Sequence, residues 1–422
     1  MRAWSTRAVI LLACGGGCGT SGPGRSSPGT DASTGMDATS GVDLGMSVDR
    51  PSGSDAGSGG SSGSGGSSGS GGSTGAAGAA GNPNGSCTTA IPARGKPVAT
   101  ASPTSVVGTG TAASCTFGQL QTAVGKGGVI TFDCGATPVT IAVTATLSVP
   151  TNKDTVIDGG NKITLDGGGA VQILSFDSAN FSANDHGLTL QHITFVNGMH
   201  TPKDAIPTAP SPCSQGFNDG EGGAVYVRDG SLTVIDCVFT NNKAAPRGPD
   251  TGGGAIYILG SKAGAMIVNS TFTNNSASNA GAVGALFAEL DIYNSLFMGN
   301  RATGDGANSD DPSMCSVMNN GQNEVGSGGN GGAIYSDGTS VNVTLCGDAI
   351  LSNSAGKGAF GGGLFFTSND MGGTLSIVDT TMTGNTGGHW TNVATGSVKD
   401  AGTAVGTNAK SITITRSTLQ GL

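Results

Sequence analysis

The second half of the chain carries short segments in which apolar residues recur at every second position. When the segments are aligned on one large apolar residue, the positions seven and five before it are apolar too. This period of two predicts β-strands with one buried face, and the recurrence of the unit predicts a solenoid of stacked coils. The aligned position is Phe195, Phe239, Phe272, Phe297, Ile350, Met382 and Leu419; seven before it are Leu188, Leu232, Ala265, Leu290, Val343, Leu375 and Ile412; five before it are Leu190, Val234, Ile267, Ile292, Leu345, Ile377 and Ile414.

Two linked motifs accompany these strands in a constant order. The first is Phe-x-x-Asn, and because equivalent atoms of stacked coils lie about 4.8 Å apart, its Asn side chains are expected to hydrogen-bond from coil to coil. Its Asn residues, including two degenerate copies, are Asn242, Asn275, Asn300, Asn353 and Asn385. The second is Gly-Gly-Ala-apolar-aromatic, whose glycines permit close backbone approach. It begins at Gly222, Gly253 and Gly331, and looser copies are aligned to begin at Val283 and Gly362.

A corner is predicted three residues before the aligned position. Asp and Asn tolerate left-handed backbone and cap turns with their own side chains. The residues there are Asp236, Asn269, Asn294 and Asp379. Strand, corner, strand, Asn turn, loop and Gly-Gly strand then form one coil. The sequence therefore predicts an all-β, single-domain parallel β-helix over residues 87–422.

The pairing of Phe-x-x-Asn with Gly-Gly-Ala-Ile resembles the repeats of polymorphic outer-membrane proteins. That resemblance implies a right-handed β-helix of the pectin-lyase-like class. Upstream, residues 120–134 (LQTAVGKGGVITFDC) and 155–169 (TVIDGGNKITLDGGG) look like the opening of bacterial pectin-lyase-like proteins, in which a short helix caps the first coil. We therefore expect such a cap here.

The N-terminus carries the features of an export signal. Arg2 and Arg7 precede an apolar run that ends in Leu11-Leu12-Ala13-Cys14, which matches the bacterial lipobox. The match implies a signal peptide over residues 1–13 and acylation of Cys14. Residues 14–86 then form a Gly/Ser-rich linker without aromatic residues from 15 to 86, which is predicted to be disordered. We expect an outer-membrane lipoprotein, on the cell surface or the periplasmic face, that contacts the membrane only through its lipid.

Composition narrows the class of partner. The chain has 77 Gly among 422 residues, a net charge of −9 and a pI near 4.7. A negative chain without a basic stripe argues against nucleic acid as a partner. An exported chain is also expected to form disulfides. Cys115 and Cys134 bracket the expected cap, and Cys213 and Cys315 lie in long loops that could meet, although spacing alone does not determine connectivity.

Four inserts, at residues 199–221, 243–251, 301–330 and 387–400, fall between the Asn turn and the Gly-Gly strand. Inserts at one corner of successive coils should line one groove, where a ligand would bind. The groove candidates are Asp219, Glu221, Asp250, His389 and Trp390. Weak catalytic candidates are Arg247, Arg301, Asp310, Asp311 and Glu324, and hard oxygen ligands for calcium are Asp305, Asn308, Asp310 and Asp311. For the last set we favour the alternative interpretation, a solvated acidic loop.

The sequence supports three interpretations of function. The first is an envelope-tethered, non-catalytic β-helix whose stacked loops serve adhesion or glycan binding. The second is a polysaccharide lyase or glycoside hydrolase that acts on an acidic polysaccharide in the same groove, possible because this fold class supports several chemistries. The third is a structural spacer of the envelope. A complete catalytic constellation is not evident in the sequence, which favours the first.

Overall fold

The alternating segments form short strands that all pair in parallel in the computed structural model. The structure describes residues 80–203, 219–248, 250–304, 328–387, 390–395 and 409–420, all within one compact unit. The helical elements among these residues are two 3₁₀ turns, Ala93–Gly95 and Ala112–Ser114, and helix α1, Phe117–Lys126.

The described strands are short, as expected for a coil that turns after each one. In chain order they are β1 Ser105–Val107, β2 Gly128–Phe132, β3 Val139–Ala142, β4 Leu147–Ser148, β5 Thr155–Asp166, β6 Leu174–Asp177, β7 Gly187–Val196, β8 Val225–Arg228, β9 Ser231–Ile235, β10 Val238–Thr240, β11 Ile256–Leu259, β12 Ala265–Val268, β13 Thr271–Thr273, β14 Ser276–Ala277, β15 Val283–Leu286, β16 Leu290–Tyr293, β17 Leu296–Met298, β18 Arg301–Ala302, β19 Ile334–Gly338, β20 Val343–Cys346, β21 Ala349–Leu351, β22 Leu364–Ser368, β23 Thr374–Val378, β24 Thr381–Thr383, β25 Val393–Thr395, β26 Ser411–Thr415 and β27 Thr418–Leu419.

The strands form the faces of a solenoid. One sheet of 17 strands contains two rows of parallel strands. The long strands β5 and β7 bend at a corner and belong to both rows. A second sheet contains β4, β6, β8, β11, β15, β19, β22 and β25, and β14 pairs with β18. Each coil between β2 and β25 contributes a strand to both rows of the large sheet and one to the second sheet. The predicted parallel β-helix is thus confirmed.

The three predicted apolar columns pair in exact register. Phe239 is opposite Phe195 on one side and Phe272 on the other, and these rings stack at centroid distances of 4.8 and 4.9 Å. The column continues in register to Leu419. Its members from Phe195 to Met382 are fully buried. The hydrophobic core is therefore one stack along the solenoid axis.

The corner column adopts left-handed backbone as predicted. Asp236 has φ 52° and Asn294 has φ 48°. The same conformation occurs at the equivalent positions His192 and Arg416. The corner thus forms even where the residue is not Asn or Asp, because stacking against neighbouring coils supplies what the residue type does not.

The register of the two looser Gly-Gly copies was predicted wrongly. Val283 pairs with Ile256, so Ala280, not Val283, occupies the position of Gly253. Leu364 pairs with Ile334, so that motif begins at Gly361 rather than Gly362. The reason is a left-handed turn at the first position, where φ is 51° at Ala280 and 71° at Gly361.

A short helix covers the N-terminal end of the stack, as the resemblance implied. The Thr116 hydroxyl accepts a hydrogen bond from Gln119 N at the start of α1. Leu120 of this helix is fully buried in the hydrophobic core. Cys115 and Cys134, the pair that brackets this cap, are joined by a disulfide. The bridge ties the start of the helix to the end of β2.

Residues 80–104, which we name the strap, follow the outside of the large sheet before the chain enters the cap. Gly81 N donates to Thr271 Oγ1 over 2.8 Å, so the strap already contacts the solenoid within the segment assigned from sequence to the linker. Thr88 Oγ1 donates to Asp379 Oδ2 over 2.7 Å, near the C-terminal coils.

The strap then reverses towards the cap. Val98 exchanges two backbone hydrogen bonds, of 2.9 and 3.0 Å, with the Gln191 side chain. Thr100 Oγ1 donates to Asp158 Oδ2 over 3.1 Å. The strap therefore crosses most coils of the stack.

A disulfide between Cys87 and Cys346 attaches the strap to β20. This pairing was not anticipated from the sequence. Cys237 is free and fully buried, and burial raises the pKa of its thiol to about 12. Cys213 and Cys315 lie outside the described residues. Within the described ranges, the helices lack the length and apolar character that crossing a bilayer would require.

Candidate functional site

The described parts of the four inserts lie along one line of the solenoid. The first residues of three inserts, the residue directly before the fourth and the equivalent residues of two other coils pair in parallel, coil by coil, through isolated bridges and the β14–β18 pair. The resulting column is Met199, Lys243, Ser276, Arg301, Ser354 and Thr386. Where the inserts end, Gly222 N donates to Gly252 O and Gly331 N to Phe360 O. The inserts therefore begin and end at one edge of the second sheet.

Aromatic rings line the outward face of this sheet beside that edge. They come from the last position of the Gly-Gly-Ala-apolar-aromatic motif, and every second residue of a strand points outward. Tyr335 and Phe365 stack with centroids 5.4 Å apart. Gly284 occupies the equivalent position between Tyr257 and Tyr335, and a Cβ there would lie 2.5 Å from the Tyr257 ring. The rings are buried, so they support the groups around them.

Two carboxyl groups meet at the hydroxyl of Tyr335. Its Oη lies 3.2 Å from Asp250 Oδ1 and 2.9 Å from Asp337 Oδ2. Asn369 Nδ2 donates to the other oxygen of Asp337 over 2.9 Å. Tyr257 also donates its hydroxyl proton to the Asp250 carbonyl oxygen. Asp250 and Asp337 each keep part of their surface exposed.

One hydroxyl proton cannot satisfy two carboxylates. Tyr335 donates to one of them, and the arrangement is complete when the other carboxyl is protonated and donates to the tyrosine oxygen. Burial raises the pKa of Asp250, and burial together with the charge of Asp250 raises the pKa of Asp337. The pair is therefore suited to hold one proton between two acids.

A second acidic cluster lies at the end of the first insert. Asp219 Oδ1 is 3.1 Å from His200 Nε2, and the other ring nitrogen of His200 contacts the Glu221 carbonyl oxygen at 2.6 Å. The Glu221 side chain is buried, and its Oε1 has no hydrogen-bond partner within the described part of the chain. Burial raises the pKa of Glu221 well above its usual range. Asp219 and Asp250 each stand three residues before a motif glycine.

The remaining predicted residues divide into two groups. Arg247 and Arg301 are exposed, and Trp390 packs on Phe360 at a centroid distance of 5.5 Å. Outside the described residues lie Asp305, Asn308, Asp310, Asp311, Glu324, His389 and Cys14. The ranges that the structure describes contain no convergent set of three His, Cys, Asp or Glu side chains of the kind that holds a metal ion.

Five Asn side chains form a buried ladder through the coils. Asn242 donates its side-chain amide to Asn275 Oδ1 over 3.0 Å, and Asn275 donates likewise to Asn300 Oδ1 over 2.9 Å. Asn353 and Asn385 continue the series. The role of this column is structural, and it holds the start of every insert in place.

Sequence reasoning missed Tyr335, Asp337 and His200 as site residues. A signal for the first two was present, because the alternation Tyr335-Ser336-Asp337 places Tyr and Asp on the same face of a strand. Their meeting with Asp250 depends on how two inserts lie against the sheet. No local pattern encodes that contact.

Comparison with protein families finds a similarity to a known repeat. The family described as Chlamydia polymorphic membrane protein (Chlamydia_PMP) repeat matches residues 236–259. The matched segment runs from the corner at Asp236 through Phe239 and Asn242 to the end of β11, so it contains both motifs once. No curated protein and no solved structure matches the chain. The molecule is thus a parallel β-helix in which residues 236–259 are similar to this repeat.

Proposed function

We propose that the protein is an envelope-tethered β-helix that binds a neutral glycan through the edge where its inserts stack. The observation that carries the proposal is the meeting of Asp250, Tyr335 and Asp337 at that edge. Carboxylates with a free lone pair accept hydrogen bonds from sugar hydroxyls, and the buried rings beneath them hold them in position. Binding of such a glycan by an envelope-tethered protein would give the protein a role in adhesion.

Attachment to the envelope is the second part of the proposal. The repeat matched at residues 236–259 is named for membrane proteins, which agrees with a surface or outer-membrane association. The lipobox at Cys14 supplies the proposed anchor, and the Gly/Ser-rich segment that follows it in the sequence separates this cysteine from the β-helix. Cells that express Cys14→Ala should release the protein from the membrane fraction and lose its labelling by radioactive palmitate. Retention of Cys14→Ala with the membranes would contradict lipid anchoring.

The preference for a neutral glycan follows from charge. Asp250 and Asp337 are the acidic side chains that contact Tyr335 at the proposed site. Lys243 and Arg301 lie in the column where the inserts begin. A polyuronate would meet like charges at the acidic pair, which costs binding free energy. A neutral polysaccharide would offer hydroxyl donors to the same carboxylates without that cost.

The test is binding of the full chain with Cys14→Ser, which keeps it unlipidated, to soluble β-glucan, galactomannan, polygalacturonate and alginate. Calorimetry should detect binding to a neutral polymer, and Asp250→Asn with Asp337→Asn should weaken it at least tenfold. Asp133→Asn, at an exposed carboxylate near the cap, is the matched control and should bind normally. Failure of every polymer to bind, or undiminished binding by the double variant, would reject the proposed site.

A hydrolase acting at the same site is the second candidate. Because both carboxyl groups contact one hydroxyl, the contacting oxygens lie no more than about 6 Å apart, a limit that admits the roughly 5–5.5 Å between acid and nucleophile in retaining glycosidases. The same polymers are therefore assayed for release of reducing ends. Release that Asp337→Asn abolishes would make the protein an enzyme, and binding without release would leave the adhesin.

A further inference from the structure

When the N-terminal segment is pulled, the strap determines which strand of the domain receives the force. The hydrogen bonds of Gly81 and Asn82 to the solenoid are single bonds that peel one at a time. Beyond them, Cys87 is bonded to Cys346 in β20. A covalent bond stops the peeling at that point. Tension from the N-terminus therefore reaches β20 directly and bypasses the cap.

The disulfide also encloses most of the coils. It joins residues 259 positions apart, so the cap and the strands from β1 to β19 lie inside the closed loop. For a pull applied between the two ends of the chain, this loop carries no tension along its own length. Only the segment before Cys87 and the coils after Cys346 can extend.

Two further features hold the strap to the stack. Ile91 and Cys87 cover an outward-facing apolar cluster of the large sheet, formed by Ile235, Met266, Val268, Tyr293 and Cys346. Arg94 donates from Nη2 to Leu232 O at 2.6 Å and Gly264 O at 2.7 Å, and from Nε to Thr233 Oγ1 at 3.0 Å. These contacts keep the strap in place while the disulfide takes the load.

We infer that the Cys87–Cys346 bond carries tension from the N-terminal segment into β20, which gives the domain a mechanical function as the attachment point of a tethered adhesin. The inference rests on the proposed N-terminal anchoring. The strap would then transmit force, a role that holding the cap in place would not require. Without the bond, tension would peel the strap, then the cap, and then unzip the coils from the N-terminal end.

Single-molecule force spectroscopy on the full chain, held at its two ends, tests the inference. In the oxidised chain the enclosed residues should stay unextended. A dithiol reductant should convert the bond to two cysteine thiols while it is itself oxidised to a disulfide. The unfolded contour length should then grow by about 850–930 Å, the extended length of 259 residues. Equal contour lengths before and after reduction would overturn the assignment.

The force of the first unfolding event shows whether the Cys87–Cys346 disulfide carries tension or only cross-links the chain. It should fall in the variant Cys87→Ser with Cys346→Ser, because the strap then peels from its end. The control variant Cys115→Ser with Cys134→Ser removes a bridge inside the closed loop, so its first event should match that of the original chain. An unchanged first-event force in the Cys87 and Cys346 variant would refute the mechanical role. This measurement involves no glycan, so it is independent of whether the ligand proposal holds.

Discussion

Replacing Asn275 by Ala should destabilise the domain more than any substitution in an insert. The Asn275 amide donates to Asn300 Oδ1 at 2.9 Å and to the Phe239 carbonyl at 3.1 Å. Its oxygen accepts from the backbone and side-chain nitrogens of Asn242 at 2.9 and 3.0 Å. All of these groups are buried. The substitution removes four hydrogen bonds, while Asn300 Oδ1 still accepts from Asn275 N and the Asn242 side-chain amide still donates to the Phe195 carbonyl oxygen.

The magnitude follows from the number of hydrogen bonds lost. Each contributes about 0.5–1.5 kcal/mol, so we expect the loss of four to lower the free energy of unfolding by about 2–6 kcal/mol. That is a large share of the roughly 5–15 kcal/mol that stabilises a typical domain. Phe272→Ala should cost about 3–5 kcal/mol, because it opens a gap in the ring stack.

Denaturant unfolding followed by circular dichroism measures the effect. The full chain with Asn275→Ala is compared with two controls, the exposed Asn180→Ala and the insert variant Arg301→Ala, each expected within about 0.5 kcal/mol of the original. If Asn275→Ala unfolded at the same urea concentration as Asn180→Ala, the ladder would not stabilise the coils, and the argument from buried amides would fail.

Three further predictions concern the coils and the site. Burial raises the pKa of Asp348 to about 8, so the folded chain keeps a proton that the unfolded chain releases near pH 4, and stability falls as pH rises between these values. Asp348→Ser should make the melting temperature less sensitive to pH between 5 and 8; an identical slope would contradict this. Gly332→Ala would place a Cβ 2.0 Å from the Gly362 carbonyl oxygen and should cost more than about 3 kcal/mol in urea unfolding, whereas Gly118→Ala, where a Cβ has open space, should not destabilise. Tyr335→Phe should lower the melting temperature, increasingly at higher pH, because it removes the hydroxyl that pairs the two carboxyl groups; Tyr226→Phe is the control, and equal losses would argue against the pair.

The coil architecture was predictable because the same residue pattern recurs several times along the chain. Each copy that shows Phe239 or Asn242 in its column reinforces the register of the others. The Gly-Gly register failed at Val283 and Gly362, since a run of small residues offers several alignments and only the left-handed turn at the first position fixes one. The strap occurs once and has no repeat to support it. The strand residues that contact the strap, such as Met266, are apolar at outward-facing positions and so depart from the alternation of apolar and polar residues. Ile91 of the strap covers them.

The candidate site was predictable only in part. Spacing placed Asp219 and Asp250 before motif glycines, and both lie at the edge where the inserts end. The contact of Asp250 with Tyr335 links residues 85 positions apart in the chain. Such a contact depends on the path of the inserts, which hydrophobic periodicity does not describe.

The Asn ladder also bears on how such a chain can change over evolutionary time. Successive ladder residues are separated by 25 positions between Asn275 and Asn300, and by 53 between Asn300 and Asn353, yet the hydrogen bonds across both steps are 2.9 Å. A coil can therefore more than double in length without altering how it docks on its neighbours. Selection can lengthen, shorten or exchange an insert while the core stays unchanged. Diversity of recognition and conservation of the scaffold are separable in this molecule.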